Sequence, residues 1–105
     1  MSSALWPYVT PGIPDHLFEQ LPGIPLSHKE VRLLLISALR LQPDSLLWDI
    51  GAGTGTISVE TGLLCPKGQI IAVEPNLIRR NCDRFGVHNV QVIEGSAPEC
   101  LKDLP

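Results

Sequence analysis

Apolar positions along this 105-residue chain fall into two kinds of run. In the first, Val31, Leu34, Leu35, Ala38 and Leu39 recur on one helical face, which predicts an amphipathic helix. Its start is marked by Ser27 and Glu30 in an S-x-x-E capping-box pattern, with Leu26 and Val31 placed as a hydrophobic staple. "QPDS", 42–45, ends the element as a turn. The second kind is short and continuous. Leu46 to Ile50 and Gln69 to Val73 have no polar face, and such runs fit parallel strands covered on both sides. "NVQVIEG", 89–95, reads as a third strand. Helices are predicted at Thr56 to Leu64, closed by "CPKG", and at Leu77 to Phe85, stopped by Gly86; another opens in "APECLKDL", 97–104. The order α, β, α, β, α, β, α predicts an α/β fold with a parallel sheet and right-handed crossovers.

Residues 1–26 do not follow this alternation. They are punctuated by Pro7, Pro11, Pro14, Pro22 and Pro25 and contain "PGIP" twice, at 11–14 and 22–25. Proline fixes its own φ and pushes the preceding residue toward extended geometry. The segment therefore reads as an ordered arm of turns carrying Trp6, Tyr8, Leu17 and Phe18. "PGIP" is too short a unit to signal a repeat architecture.

Composition narrows the setting. With 44% hydrophobic and 18% charged residues the chain is core-forming rather than disordered. The net charge is −3, and Arg79, Arg80 and Arg84 make the densest basic group, which reads as a solvated helix face rather than a nucleic-acid stripe. Cys65, Cys82 and Cys100 form no C-x-x-C and are odd in number, so a reduced, cytoplasmic protein without a disulfide framework is expected. No metal is expected. The start, "MSSALWPYVT", has no signal-peptide pattern, and no run approaches the roughly 18 apolar residues of a membrane span. Neither nucleic acid nor membrane is expected as a partner.

The chemistry concentrates in "LLWDIGAGTGTISVE", 46–60. A glycine-rich turn between strand and helix brings backbone N–H groups and the helix N-terminus close to a ligand. "GAGTG" is neither the dinucleotide pattern G-x-G-x-x-G nor a P-loop, since the Lys-Ser/Thr pair is absent. Asp49 beside it argues against a bound phosphate and for a ligand with a cationic end. Glu74, 19 residues after Gly55, falls at the end of the second strand, where an acid can accept from both hydroxyls of a ribose. A ribose, a cationic amino-acid tail and no phosphate describe S-adenosylmethionine. Ser96 and Ala97, after the third strand, are placed to border its adenine.

These residues resemble the Rossmann-like class I methyltransferases. "PGIPDHLF", "PGIPLSHKEVR", "LLWDIGAGTGTISVE", "AVEPN" and "EGSAPE" resemble one branch in particular, the decarboxylating cobalt-precorrin methyltransferases of cobalamin biosynthesis, which act at carbon 15 of the macrocycle. The glycine motif is common to many methyltransferases, whereas the arm's "GIPD" and "S-x-KEVR" point to the branch. The resemblance implies a cofactor loop of Gly51, Ala52, Gly53, Thr54 and Gly55, with Asp49 near the methionine end. It implies that Glu74 and Pro75 meet the ribose and that Ser96 and Ala97 flank the adenine. Gly12, Ile13, Pro14 and Asp15, with Ser27, would close over the site toward cofactor or substrate. The family usually has an acid where Ser96 stands, which weakens the implied adenine contact, and Thr where Ser27 stands, which keeps the hydroxyl. The implied reaction transfers a methyl group to a tetrapyrrole carbon, with loss of CO₂ from an acetate side chain. No general base is assigned; Asp15, His16 and His28 are only nearby.

Such enzymes have about six or seven strands, and three are read here. In the usual strand order 3-2-1-4-5 the run Leu46–Ile50 would then be an exposed apolar edge, which pairs with other chains and predicts a homo-oligomer. The expectation is thus an arm over 1–26 and, over 27–105, the N-terminal part of a cofactor-binding domain, truncated and doubtful as a catalyst alone. Two alternatives stay open: a class I methyltransferase with a different acceptor, and a non-enzymatic module that oligomerises.

Overall fold

In the computed structural model, residues 5–24, 26–50, 53–73 and 77–93 are described. Six elements follow the arm: α1 (Lys29–Leu39), β1 (Leu46–Ile50), α2 (Thr56–Leu64), β2 (Gln69–Val73), α3 (Leu77–Phe85) and β3 (Val90–Ile93). The strands form one parallel sheet in the order β1-β2-β3. Leu46 pairs with Gln69 and Ile50 with Val73; on the other side Ile70 pairs with Val90 and Val73 with Ile93. The predicted α/β alternation and every strand-forming run are present, with β3 beginning one residue later than expected. Residues 94 and 95 and the helix expected from 97 lie outside the described residues.

β2 is central, and Ile70, Ile71, Ala72 and Val73 are all buried, as a strand covered on both faces requires. β1 is one of the sheet's two edge strands among the described residues. Its ends, Leu46 and Ile50, are exposed, which corrects the expectation of a strand covered on both sides and agrees with an open apolar edge.

Helix ends follow from local chemistry. Gly86 takes the left-handed conformation at φ 69°, with Val87 N–H donating to the Cys82 carbonyl and Gly86 N–H to that of Asp83. That pairing is a Schellman motif, and it makes Gly86 the stop the sequence predicts. At the end of α2 the Asn89 amide donates to the carbonyls of Gly62, Cys65 and Gly68. It gathers acceptors that a helix end leaves without partners.

The start and the face of α1 both differ from the expectation. His28 is the N-cap and no side chain caps the helix, so the Ser27–Glu30 capping box is not formed. Instead the Ser27 carbonyl accepts from Arg32 Nε at 2.9 Å. The expected apolar stripe is also turned outward: Leu34 is 74% exposed and Val31 50%, while Arg32 and Ile36 face inward. The inward face instead carries Arg32, which pairs with Glu60 of α2 and with Asp15. These contacts hold α1 with its polar arginine toward the domain, against the hydrophobic period.

The arm is part of the core. Ile13 and Phe18 pack in one cluster with Val59, Ala72, Ile78, Cys82, Phe85 and Val87, and the Phe18 and Phe85 rings lie 4.9 Å apart. A short 3-10 helix, Asp15–Leu17, turns the arm across α2 and α3. The arginine face of α3 serves this contact: Arg80 bonds Glu19, and Arg84 donates to the Leu17 carbonyl.

Candidate functional site

The candidate site lies where β1 ends and α2 begins, outside the carboxyl ends of parallel strands, where open α/β sheets bind ligands. Asp49, next to last in β1, pairs in register with Ala72. Its carboxylate accepts from the Ser58 hydroxyl at 2.6 Å. Burial pushes the Asp49 pKa up, against the opposing hydrogen bonds from the Ser58 side chain and backbone. A carboxylate short of solvent and held by a neutral partner favours a cation beside it.

The turn after β1 is built for close approach. Gly53 and Gly55 both sit at positive φ, 59° and 89°, and Gly55 is the N-cap of α2. A Cβ on Gly55 would come within 3.0 Å of Ile78 Cγ1 and 3.1 Å of its Cα, so α3 leaves no room for a side chain there. Thr54 between them is buried, and its carbonyl accepts from Asn81 Nδ2 at 2.9 Å. The described part of the turn thus presents backbone beside the Asp49 carboxylate, an arrangement that fits a ligand with a cationic end.

A second cluster stands behind the turn. Glu60, buried in α2, accepts from the backbone N–H groups of Gly12 at 2.8 Å and Ile13 at 3.2 Å, and from Arg32 Nη1 at 2.6 Å. Arg32, also buried, donates to the Ile13 carbonyl and to Asp15, and lies over the Phe18 ring. Asp15 in turn meets His28 Nδ1 at 3.0 Å. Burial raises the Asp15 pKa, but the hydrogen bonds from His28 and Arg32 outweigh it, so the carboxyl is held below its ordinary value.

The structure therefore brings together Asp49, Gly53, Thr54 and Gly55 at one turn. Gly12, Ile13 and Asp15 gather with Arg32 and Glu60 behind it, the Ile13 side chain in the core. Ser27 touches the second cluster through its carbonyl. Gly51, Ala52, Glu74, Pro75, Ser96 and Ala97 lie outside the described residues. Ser58, Glu60, Arg32 and Asn81 were not singled out by sequence reasoning. A signal existed for Glu60, the lone charge in "TISVETGLL". For Asn81, nothing distinguishes it in sequence from a solvated helix residue.

A model of the precorrin methyltransferase domain matches residues 18–105. The chain belongs to the precorrin methyltransferase domain family. It is 45% identical over 107 aligned positions to a protein of Pyrobaculum calidifontis described as a probable cobalt-precorrin-6B C(15)-methyltransferase (decarboxylating), with 95% of this chain and 55% of that one covered. A protein of the same description from Saccharolobus solfataricus is 42% identical over 94% of this chain and 53% of its own. Among solved structures, a precorrin-6y C5,15-methyltransferase from Geobacter metallireducens GS-15 superposes with a TM-score of 0.84 at 42% identity. That match covers 90% of this chain and 52% of that one. The chain thus spans about half the length of the curated relatives it matches. Family membership accounts for both the parallel three-stranded sheet and the glycine turn that ends its first strand.

Proposed function

We propose that this chain carries the S-adenosylmethionine-binding part of a methyltransferase that methylates carbon 15 of a cobalt-precorrin while an acetate side chain is decarboxylated. The observation that carries the reading is Asp49, desolvated and, among the described residues, bound to the Ser58 hydroxyl and backbone amide at the mouth of a glycine-rich turn. The descriptions of the relatives support the acceptor. In this reading Asp49 holds the cationic amino group of the cofactor. Gly51, Ala52, Gly53, Thr54 and Gly55 line its path, Glu74 and Pro75 meet the ribose, and Ser96 and Ala97 border the adenine. Ser27 reaches the cofactor from the end of the arm, and the Gly12–Asp15 segment walls the substrate side.

When bound, the cofactor supplies an electrophilic methyl group on a sulfonium. The protein's part is to hold the acceptor carbon in line with that methyl, the step in which positioning does most of the catalytic work. The carboxylate leaves as CO₂ with its electron pair retained by the conjugated macrocycle, and the proton lost from the methylated carbon balances the one gained by the side chain. The same reading sets the protein in the reducing cytoplasm, in keeping with the free thiols of Cys65 and Cys82. It also covers the open β1 edge with a second copy of the chain, an assembly that light scattering would detect.

The test is calorimetric titration with S-adenosylhomocysteine, comparing the wild-type chain with Asp49→Asn and Glu74→Ala. Removing one charge-assisted contact costs about 1.5–3 kcal/mol, so each variant should bind about ten- to a hundredfold more weakly. No saturable binding by the folded wild-type chain would overturn the reading. Binding followed by methyl transfer to another acceptor, without CO₂ release, would keep the cofactor site and reject the substrate.

A further inference from the structure

Asn81 is fully buried in α3, and its amide is divided between two parts of the molecule. Oδ1 accepts from the Glu19 N–H at 2.7 Å, and Nδ2 donates to the Glu19 carbonyl at 3.1 Å. One side chain thus pairs with both backbone groups of a single arm residue, as a neighbouring strand would. Nδ2 also donates to the Thr54 carbonyl at 2.9 Å, inside the glycine turn. The amide's orientation is fixed by these partners, because a flip would set N–H against N–H and oxygen against two carbonyls.

Other contacts tie the arm to α3, namely Arg84 to the Leu17 carbonyl and Arg80 to the Glu19 carboxylate. Those are exposed and end on the arm. Asn81 continues from the arm to the turn. We propose that Asn81 is a positioning residue that couples docking of the arm at Glu19 to the shape of the glycine turn at Thr54, so that cofactor occupancy and arm order rise and fall together. The inference rests on the cofactor reading above, and it goes further: the arm becomes an energetic partner of the cofactor turn.

Coupling of this kind is reciprocal, since whatever factor the docked arm adds to ligand affinity, the ligand returns to arm order. Two substitutions probe it. Asn81→Asp keeps the acceptor for the Glu19 N–H and sets an oxygen against the Glu19 and Thr54 carbonyls; Asn81→Ser removes all three bonds. The experiment measures S-adenosylhomocysteine affinity per folded molecule, together with amide hydrogen exchange at Glu19 with and without that ligand.

In the wild-type chain the ligand should slow exchange at Glu19 by about tenfold, within the usual range of coupling between sites. In the variants, affinity should fall by about the same factor and the ligand-induced slowing should vanish. A residue that merely holds the fold would lower the melting temperature and leave that slowing in place. If the variants do not fold, the wild-type exchange decides alone: unchanged exchange at Glu19 on saturation overturns the proposal. Folded variants that bind as tightly as wild type overturn it as well. A folded wild-type chain that binds no ligand removes the cofactor reading itself, an outcome distinct from the other two, and the coupling falls with it.

Discussion

Glu60→Gln tests whether one buried carboxylate holds the arm to the domain. Glu60 accepts three hydrogen bonds, from Gly12 N–H, Ile13 N–H and Arg32 Nη1, and it is 1% exposed. A glutamine can present its oxygen to only one side. With the oxygen toward Ile13 and Arg32, its NH₂ group faces the Gly12 N–H, and a buried donor left without an acceptor costs about 1–3 kcal/mol. The guanidinium of Arg32 also loses a counter-charge. Breaking a buried pair costs about 3–5 kcal/mol, tempered here because Arg32 keeps Asp15. The expected loss is about 3 kcal/mol, a large share of the roughly 5–15 kcal/mol that holds a domain together. With a slope of about 2 kcal/mol per molar in urea, the unfolding midpoint should fall by about 1.5 M. Circular dichroism follows the global transition, and amide exchange at Gly12 and Ile13 shows whether the arm is released first. A midpoint within about 0.3 M of wild type, with both amides still protected, would refute the assignment of Glu60 as the arm's anchor.

Three further outcomes follow from titrating groups. Burial raises the Asp49 pKa, so the native state binds its proton more tightly than the unfolded chain. Stability is therefore lost as pH rises from the ordinary carboxylate range through the raised value. Asp49→Asn should remove that slope and gain about 0.5–1 kcal/mol at neutral pH, read as a higher melting temperature beside weaker ligand binding; a destabilised variant would count against a desolvated carboxylate. Asp15 has the opposite sign. Its pKa is lowered, so its contribution is complete above the ordinary value of 3.8 and is lost as pH falls through the depressed one. Asp15→Asn should flatten acid unfolding below about pH 4, and an unchanged acid limb would show that the Arg32 contact contributes nothing. The Cys82 thiol is pushed up to about 11 by burial and by Asp83, leaving about one thiolate per thousand at pH 8. Iodoacetamide should label Cys82 slowly in the native protein and quickly in urea, as mass spectrometry would report; rapid native labelling would contradict its placement in the core.

Much of this fold is legible because each strand and its following helix carry local signals that agree. Gln69–Val73 is continuously apolar and is buried, and Gly86 stops α3 with its backbone bonds paired as the sequence implies. The glycine turn was legible for a similar reason: Gly53 and Gly55 are the residues that positive φ demands. Failure came where a tertiary contact overrode a local pattern. The period of Val31, Leu34, Leu35 and Leu39 is a sound helix signal but a poor guide to which face is buried, because the Arg32–Glu60 pair spans 28 residues of sequence. The capping box failed for the same cause, since Arg32 draws the Ser27 carbonyl toward itself.

Apart from Ser58, whose partner Asp49 is 9 residues away, the residues that sequence reasoning missed share one property: each joins segments far apart in the chain. Glu60 reaches back to Gly12 across 48 residues, and Asn81 to Glu19 across 62. Propensity and periodicity read neighbours within a turn or two, so they find the elements and the loops between them. They do not find the polar side chains that decide how those elements are held. In this protein those side chains converge on the proline-rich arm, the segment with the weakest secondary-structure signal. Its prolines keep it from spending its backbone groups in a helix or a ladder. Those free N–H and carbonyl groups at Gly12, Ile13, Leu17 and Glu19 are what Glu60, Arg32, Arg84 and Asn81 bind. An arm whose regular structure is one short 3-10 turn is therefore held by side chains on α1, α2 and α3. Glu60 and Asn81 stand on the two helices that meet the glycine turn, α2 at its N-cap Gly55 and α3 at the Thr54 carbonyl.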